Sequence, residues 1–409
     1  MRTAPARPAG PGGTARRGTA ARTLVVDETL PPQWPDRTFL TSPAWLRMMG
    51  DRPPGTGYWF RLVEDGVTVA ATTGYLIEDP HCYESFNVHD LLFRDPPVFP
   101  DQRRTRPVGR TDRAAWFPCL AIVQPGYDAD VVTAGEPAVE RTRDLLAAVT
   151  HWARDAGVAC TAVLYAAGTV LPAALAAEPA WHRVRGTVRS VLDVPPGSFD
   201  DYVAGLTKTS RQKVRWDVRD LALAGVRTAP ADAARLGATE LRLRLALIDK
   251  YGGYSTEDVE RSRLERLTSL FPAERLRLFH STTADGDVVG FSLFIGHGDQ
   301  WHVFWCGFDY ENPASRRTYF DAMFYSPVRT AQKEGVRLID YGLGYERSKK
   351  WRGCCGAVRD IWVKDLRGHL APWMERAAAG EEPAAAPAAG PETPAHRSTP
   401  IAGTLEKLS

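Results

Sequence analysis

The 409-residue sequence has no long apolar run and no marked excess of one charge. No stretch of about 18 apolar residues occurs, which excludes a membrane-spanning helix. The first residues contain arginines but no apolar segment of the signal-peptide type. A net charge of +2 is not typical of a dedicated nucleic-acid binder, so any RNA contact has to come from a local patch. We therefore expect a cytoplasmic protein.

Cysteine is scarce and its spacing is uninformative. None of the six cysteines forms a C-x-x-C pair, and only Cys354 and Cys355 are adjacent. No group of cysteine, histidine and carboxylate residues has the spacing of metal ligands. This pattern predicts buried free thiols in a reducing compartment and no bound metal, which argues against a metalloenzyme.

Apolar and aromatic residues are plentiful enough to build two domains. Hydrophobic residues make up 44% of the chain, 12 of them tryptophans, and this length suits two cores. Residues 1–22 and 376–409 are rich in alanine and proline without periodicity, so we predict two disordered tails. The excess of arginine over lysine indicates a GC-rich genome and suits an actinobacterial protein.

One succession of elements occurs twice between the tails. In the first half, a hairpin turns at Asp65-Gly66, and a helix over residues 136–156 leads into a strand over residues 158–165. The second half repeats this with a hairpin around residues 285–287, a helix over 319–333 and a strand over 336–341. The repetition predicts two copies of one α/β unit, at residues 23–190 and 191–375. A helix over residues 206–225 connects them.

Three phrases of the second half resemble the Fem-like branch of the GNAT acyltransferase superfamily. They are TSRQKVR at residues 209–215, DVVGF at 287–291, and DYGLG at 340–344 followed by KKWRG at 349–353. The resemblance implies two tandem GNAT-like domains, each a mixed, mostly antiparallel sheet flanked by helices, with the second domain catalytic. It further implies an N-acyltransferase that forms an amide bond.

The predicted donor follows from a missing loop. Acetyl-CoA enzymes hold the pyrophosphate on a glycine-rich loop that opens the central helix. The equivalent residues 308–317 contain no glycine, but they include Asp309 and Glu311. Fem-like enzymes also lack the loop and use aminoacyl-tRNA, so aminoacyl-tRNA is our preferred donor, with acyl-CoA or a carrier-protein thioester as the alternative. No tightly bound cofactor is expected.

The acceptor and pathway are predicted only by class. We expect a small-molecule or cell-envelope precursor amine, and a role in specialised metabolism such as antibiotic biosynthesis. A catalytically silent GNAT-fold binding protein is the second alternative. The oligomeric state is left open.

Four residues are candidates for catalysis. The resemblance suggests Lys349 or Lys350 as the donor of positive charge to the oxyanion, although adjacent lysines also suit a solvated loop. Asp340 follows a buried strand and suits a proton acceptor, or else a carboxylate that caps the next loop. His302 lies on a predicted strand and suits a general base, or else a structural histidine.

Further candidates concern substrate binding. The Y-G-G-Y loop brings Tyr251 and Tyr254 beside glycines that let a ligand approach the backbone, and ordinary helix capping is its other interpretation. Arg211 and Arg215 lie on a basic helical stripe that suits tRNA phosphates, or else a solvated face. The topology implied by the resemblance adds Trp305, Asp309 and Tyr319 around one cleft. Tyr345 is a further candidate for substrate binding.

Overall fold

The computed structural model describes residues 22–50, 53–94, 97–99, 112–315, 318–344, 347–370 and 372–374. The two predicted tails lie outside these ranges except for Arg22, and so does Tyr345. In the part of the chain that is described, no helix is both long enough and apolar enough to cross a membrane.

The first half is a hairpin followed by a strand–helix–strand unit. Asp65 and Gly66 both have positive φ, as the tight turn between the hairpin strands requires. The elements are β1 (Thr23–Asp27), α1 (Pro43–Met48), β2 (Thr56–Glu64), β3 (Val67–Ile77), α2 (Val88–Phe93), β4 (Cys119–Ile122), β5 (Val132–Thr133), α3 (Ala138–Asp155), β6 (Cys160–Ala166), α4 (Val170–Ala176) and β7 (His182–Asp193).

The second half repeats this order. Its elements are α5 (Phe199–Gly205), α6 (Lys208–Leu223), β8 (Arg227–Ala231), α7 (Ala238–Lys250), α8 (Glu257–Leu270), β9 (Leu276–Thr282), β10 (Val288–His297), β11 (Gln300–Phe308), α9 (Thr318–Phe320), a π-helical turn (Asp321–Tyr325), α10 (Ser326–Glu334), β12 (Leu338–Leu343), α11 (Arg347–Lys350) and β13 (Cys355–Asp365). The predicted connecting helix starts later than expected, at Lys208, because the Thr207 hydroxyl accepts the Ser210 amide and caps α6 there.

The thirteen strands of the described ranges join in one sheet. The order is β1-β2-β3-β4-β6-β13-β7-β12-β11-β10-β9-β8. The short strand β5 is not part of this order and pairs with β3. The pairs β4–β6 and β11–β12 are parallel, and the other ladders are antiparallel. Each half therefore contains one parallel pair joined through a helix, as the predicted duplication requires.

The two halves exchange their last strands. Strand β7 of the first half pairs with β12, while β13 from the end of the chain pairs with β6. The exchanged strands also pair with each other. They lie so close at Gly186 that a Cβ there would be 2.1 Å from the Arg359 carbonyl oxygen. The predicted domain limit between residues 190 and 191 thus falls inside β7 and stays a prediction.

The parallel strands of the second half splay apart. Pairing of β11 with β12 ends at His302 and Asp340, and the strands diverge beyond that point. In the first half, β4 and β6 also part after Ile122 and Val163, but the loop over residues 124–129 bridges back to Ala166. An open gap therefore remains only in the second half among the described strands.

Helices cover both faces of the sheet beside this gap. On one face α5, α6 and α10 pack over Trp301, Ile339 and Tyr341. On the other face α7 and α8 pack over Leu293 and Trp305, together with Phe39 and Trp45 from the N-terminal segment. The first half of the chain thus supplies part of the wall around the second half's gap.

Candidate active site at the splayed strands

A cleft opens where β11 and β12 diverge. Its empty volume is about 790 Å³, counted with the part open to solvent. The lining comes from both faces of the sheet: Phe39, Trp45 and Arg244 on one side, Met323 and Tyr341 on the other. The gap between the strands connects the two sides, so a ligand there can be contacted from both.

His302 and Asp340 form a buried pair at the apex of the splay. They are register partners on β11 and β12, so their side chains share a face of the sheet, and the His302 Nδ1 lies 3.2 Å from the Asp340 Oδ2. The Arg189 Nε donates to the same oxygen at 2.7 Å, and the Gly342 amide donates to Oδ1 at 2.8 Å. Each carboxylate oxygen therefore has a donor.

Asp340 is held ionised. Burial by itself raises the pKa of the Asp340 carboxyl, but the Arg189 guanidinium, the His302 hydrogen bond and the Gly342 amide outweigh it and hold the pKa well below its usual range. An ionised carboxylate accepts the Nδ1 proton, which leaves the lone pair of a neutral imidazole on Nε2. Asp340 therefore sets the tautomer of His302.

The other ring nitrogen of His302 is left without a partner in the described part of the chain. Nε2 is buried without a hydrogen-bond partner among the described residues, and His302 lines the cleft. The ring of Phe39 stacks on the imidazole with centroids 4.1 Å apart and an interplanar angle of 16°. Because a buried polar atom without a partner is costly, this lone pair points to a ligand or a reacting group.

Arg189 is a site residue that sequence reasoning missed. It is buried on the exchanged strand β7, and it also donates to the Gly126 carbonyl at 2.8 Å and lies 3.9 Å from Asp128. Arg183 and Arg185 on the same strand are exposed. Nothing in the local pattern distinguishes Arg189 from them, because its burial depends on the exchange.

Tyr341 is a second residue that the sequence did not single out. Its hydroxyl is buried in the cleft lining and lacks a partner within the ranges that the structure covers. Burial raises the pKa of this phenol well above its ordinary value, so it stays protonated. The Tyr341 O–H is therefore an available donor at the gap.

The two candidate lysines occupy different environments. The Lys349 ammonium is fully buried and donates to the carbonyls of Leu343, Gly344 and Tyr341 at 2.9, 3.1 and 3.2 Å. Lys350 is exposed on the same short helix. The oxyanion role suggested for either stays a prediction, but Lys349 already donates to the end of β12 and to the first residue of the loop that follows it.

We expect Lys349→Met to destabilise the protein and Lys350→Met to leave stability almost unchanged. Removing the ammonium takes away three hydrogen bonds at the end of β12, where the Tyr341 carbonyl is buried, and this costs about 1–3 kcal/mol. An exposed substitution stays within about 0.5 kcal/mol. Urea unfolding followed by tryptophan fluorescence measures both. Equal losses in the two variants would contradict this assignment.

The predicted binding residues do not all meet at the cleft. Trp305 lines it, buried under α7. Tyr251 and Tyr319 are half-buried and pack against the cluster on the α10 side, and Tyr254 is 72% exposed. Arg211 donates to the Ala204 and Leu206 carbonyls, and Arg215 is exposed. Tyr251, Tyr254 and Tyr319 are not among the cleft-lining residues described, and their roles stay predictions.

Asp309 occupies the loop where a pyrophosphate would sit. Its Oδ1 accepts the amides of Glu311 and Asn312, each at 3.2 Å, and its Oδ2 pairs with Arg242 at 3.4 Å. In an acetyl-CoA enzyme, amides of this loop donate hydrogen bonds to the phosphates of the cofactor. Here the Asp309 carboxylate accepts hydrogen bonds from loop amides instead. This geometry does not suit a second anion.

In the described ranges, the cysteines form no disulfides and the possible metal ligands form no cluster. All six cysteines are free. Contrary to the prediction that they are all buried, Cys82 is half-buried, and Cys355 is exposed because it begins β13 beyond the cover of the core. No group of three metal-ligating side chains is found in the described ranges.

Comparisons with known proteins identify a domain family in the second half of the chain. Residues 208–350 match the family model for an acetyltransferase (GNAT) domain. A search of curated proteins gives no match. The crystal structure of FemX covers 81% of this chain and 93% of its own, with 10% identity and a TM-score of 0.50.

Two further structures are less similar. A tandem GNAT protein from the clavulanic acid biosynthesis pathway covers 79% of this chain and 94% of its own, with 13% identity and a TM-score of 0.42. L-PGS from Bacillus licheniformis covers 64% and 83%, with 11% identity and a TM-score of 0.43.

The family match and the fold agree with the sequence-based interpretation. The matched span runs from the start of α6 to the end of α11 and includes the open splay with His302 and Asp340. The likeness to FemX extends the fold over both halves. The predicted fold class of two tandem GNAT-like units is confirmed, and residues 208–350 belong to the acetyltransferase (GNAT) domain family.

Proposed function

We propose that the protein is an N-acyltransferase that moves an aminoacyl or acyl group from an activated donor to an amine in the cleft around His302. The acceptor is a small molecule or a cell-envelope precursor, and the composition of the chain suits actinobacterial specialised metabolism. The observation that carries the proposal is the buried His302–Asp340 pair: His302 lines the cleft, and its Nε2 has no hydrogen-bond partner among the described residues.

The residues of the cleft suit direct transfer. His302 Nε2 takes a proton from the acceptor amine as its nitrogen attacks the donor carbonyl carbon. The new C–N bond forms, the ester C–O or thioester C–S bond breaks, and the departing oxygen or sulfur receives the proton back from His302. Asp340 stabilises the transient imidazolium, and the Tyr341 hydroxyl is available to the carbonyl oxygen as its charge grows.

Aminoacyl-tRNA is the donor that we prefer. Asp309 already takes up loop amides that a CoA pyrophosphate would need. Basic and aromatic side chains also meet on one surface: the Trp351 ring lies 3.9 Å from Lys213 Nζ and 4.4 Å from the Arg347 guanidinium carbon, and Trp216 is 52% exposed. Rings beside cations suit unpaired bases and phosphates, which is the chemistry of a tRNA acceptor end.

A donor competition tests this proposal. Purified protein is incubated with a panel of amines and either charged tRNAs or acyl-CoA esters, and amide products are identified by mass spectrometry. We expect product from charged tRNA, and we expect RNase treatment of the donor to abolish it. Full activity after RNase, or product from acyl-CoA or a carrier-protein thioester alone, rejects tRNA as donor. No amide from any donor favours a binding protein without catalysis.

A further inference from the structure

Four aromatic side chains form a continuous wall along the cleft, and the transfer step above does not use them. The Phe39 ring centroid lies 4.7 Å from that of Trp45, which lies 6.1 Å from that of Phe304. Phe304 in turn stacks on Trp305 with centroids 5.3 Å apart. All four residues line the cleft. Because Phe39 also stacks on the imidazole of His302, this aromatic wall begins directly beside the proposed base.

A bulge in β11 brings two consecutive rings into the aromatic wall. The register between β10 and β11 shifts at Leu293 and Phe294. Their partners on β11 are Trp305 and Val303, so Phe304 is an extra residue between them. In a regular strand, consecutive side chains point to opposite faces of the sheet, whereas a bulge redirects one of them. The bulge therefore allows Phe304 and Trp305 to stack on each other and to line the cleft together.

The aromatic wall offers mainly ring surface to a ligand. Phenylalanine has no polar side-chain atom, and the indole N–H of Trp45 already donates to a backbone carbonyl at 2.7 Å. The two arginines of the described lining face buried carboxylates. Arg189 donates to Asp340 at 2.7 Å, and the Arg244 Nε lies 3.7 Å from the Glu260 Oε2. Because an additional buried charge would be costly beside these rings, the wall suits an uncharged apolar group.

The aromatic wall and the surface proposed for the donor lie on different faces of the sheet. The wall belongs to the face covered by α7 and α8, where His302 stacks on Phe39. Trp351 and Lys213 lie with α6 and the turn after α11, which pack against the cluster on the other face. In the proposed reaction, the acceptor amine therefore meets His302 on the aromatic face, and the donor carbonyl reaches it through the gap between β11 and β12.

We propose that the aromatic wall binds an apolar group of the acceptor, so that the acceptor is an amine with an aryl or alkyl group close to the reacting nitrogen. The inference rests on the proposed function, because it places the acceptor amine at His302. Burial of apolar surface against the four rings supplies the binding free energy. A permanent cation also suits ring faces, but the buried acids nearby, Asp340 and Glu260, already face arginines.

The test measures binding of a homologous series to the full-length protein in the absence of a donor. The probes are the n-alkylamines from ethylamine to hexylamine, phenethylamine, and propanolamine as the polar isostere of butylamine. Titration calorimetry reports their affinities without catalysis. We expect about fourfold tighter binding for each added methylene. We also expect butylamine to bind on the order of 10-fold more tightly than propanolamine.

Variants assign this preference to the aromatic wall. Phe304 is the position to change, because it is only half-buried. Phe304→Ala is expected to reduce the gain per methylene for the longer amines while ethylamine binds as before, and Phe304→Leu to keep most of the gain. In turnover assays, Phe304→Ala raises KM for phenethylamine on the order of 10-fold and changes kcat much less.

Phe93→Ala is the matched control. It removes another half-buried phenylalanine, which lies in the first half of the chain and is not among the cleft-lining residues that the structure describes. The control should keep the wild-type gain per methylene. If Phe304→Ala has no larger effect than this control, the apolar group does not bind at the aromatic wall and the inference is wrong.

Three results of the binding series also overturn the inference: affinity that does not depend on chain length, equal binding of butylamine and propanolamine, or no binding of any probe. Tetramethylammonium is the permanent cation for comparison, and tighter binding of it than of hexylamine would reject the apolar group in favour of a cation. Failure of the proposed function is distinguished by His302→Gln. If that variant keeps its turnover, the transfer mechanism is wrong, whereas the binding series is measured independently of turnover.

Discussion

His302→Gln is expected to reduce the rate of amide formation by about 10²- to 10⁴-fold, the usual contribution of a positioned general base. Glutamine has no basic lone pair to take the amine proton, although it is similar in size. Folding is expected to persist, because the imidazole contributes one hydrogen bond to Asp340 while Arg189 and Gly342 keep theirs. Single-turnover assays with the charged donor measure the rate, and circular dichroism checks the fold.

His297→Gln is the matched control for this prediction. His297 ends the neighbouring strand β10, and its ring also lies near Phe39, at 6.2 Å between centroids. It is not among the cleft-lining residues that the structure describes. The control reports any effect of disturbing Phe39, so its rate should stay within about twofold of the wild type. A His302→Gln rate as high as that of the control would exclude proton transfer by His302.

Arg189→Met is expected to lower the free energy of unfolding by about 3–5 kcal/mol, the typical cost of leaving a buried charge without its partner. Arg189 and Asp340 are both buried, and their hydrogen bond joins the exchanged strand β7 to β12. Guanidinium unfolding measures the loss. The double variant Arg189→Met/Asp340→Asn is expected to recover part of it, because the uncompensated carboxylate is gone.

Arg183→Met is the control on the same strand. Its ion pair with Asp360 is made by a side chain that is 60% exposed, and such pairs contribute about 1 kcal/mol or less. If Arg189→Met lowers the free energy of unfolding no more than Arg183→Met does, the buried Arg189–Asp340 pair does not stabilise the contact between β7 and β12.

The same pair predicts a dependence of stability on pH. The pKa of Asp340 is lower in the folded protein than its ordinary value of 3.8, so the unfolded chain binds this proton first as the pH falls. The contribution of Asp340 is complete above the ordinary value and is lost as the pH falls below it toward the folded value. Arg189→Met removes the charge that lowers the pKa of Asp340 the most. The free energy of unfolding of this variant should therefore fall less steeply between pH 5 and pH 2 than that of the wild type.

Local patterns predicted much of the second half correctly. The hairpin at residues 285–287, the strand from Trp301 and the helix before Gly335 follow from turn chemistry and periodicity, and Gly335 ends α10 with a φ of 70°. His302 and Asp340 were selected separately, and the parallel register brings them together. Each of these strands is a short apolar and aromatic run bounded by glycines or turn residues, so neighbours along the chain contain the necessary information.

The role of the lysine pair shows where such reasoning stops. Adjacent lysines suggest a solvated loop or two equivalent catalytic groups. The structure separates them, with Lys349 buried against three carbonyls and Lys350 in solvent. Only the path of the loop after β12 makes this difference, and no feature of the sequence encodes that path locally.

The sequence by itself determined the duplicated α/β unit, the family resemblance and the missing glycine-rich loop, because each depends on residue types at short and regular spacing. The exchange of β7 with β13, the burial of Arg189, the stacking of Phe39 on His302 and the entry of Arg244 into the cleft were decided only by the tertiary structure. These contacts join residues that are dozens to hundreds of positions apart. Their free energy comes from burial and charge pairing in the folded state. These interactions produce no periodic pattern in the sequence from which they could be predicted.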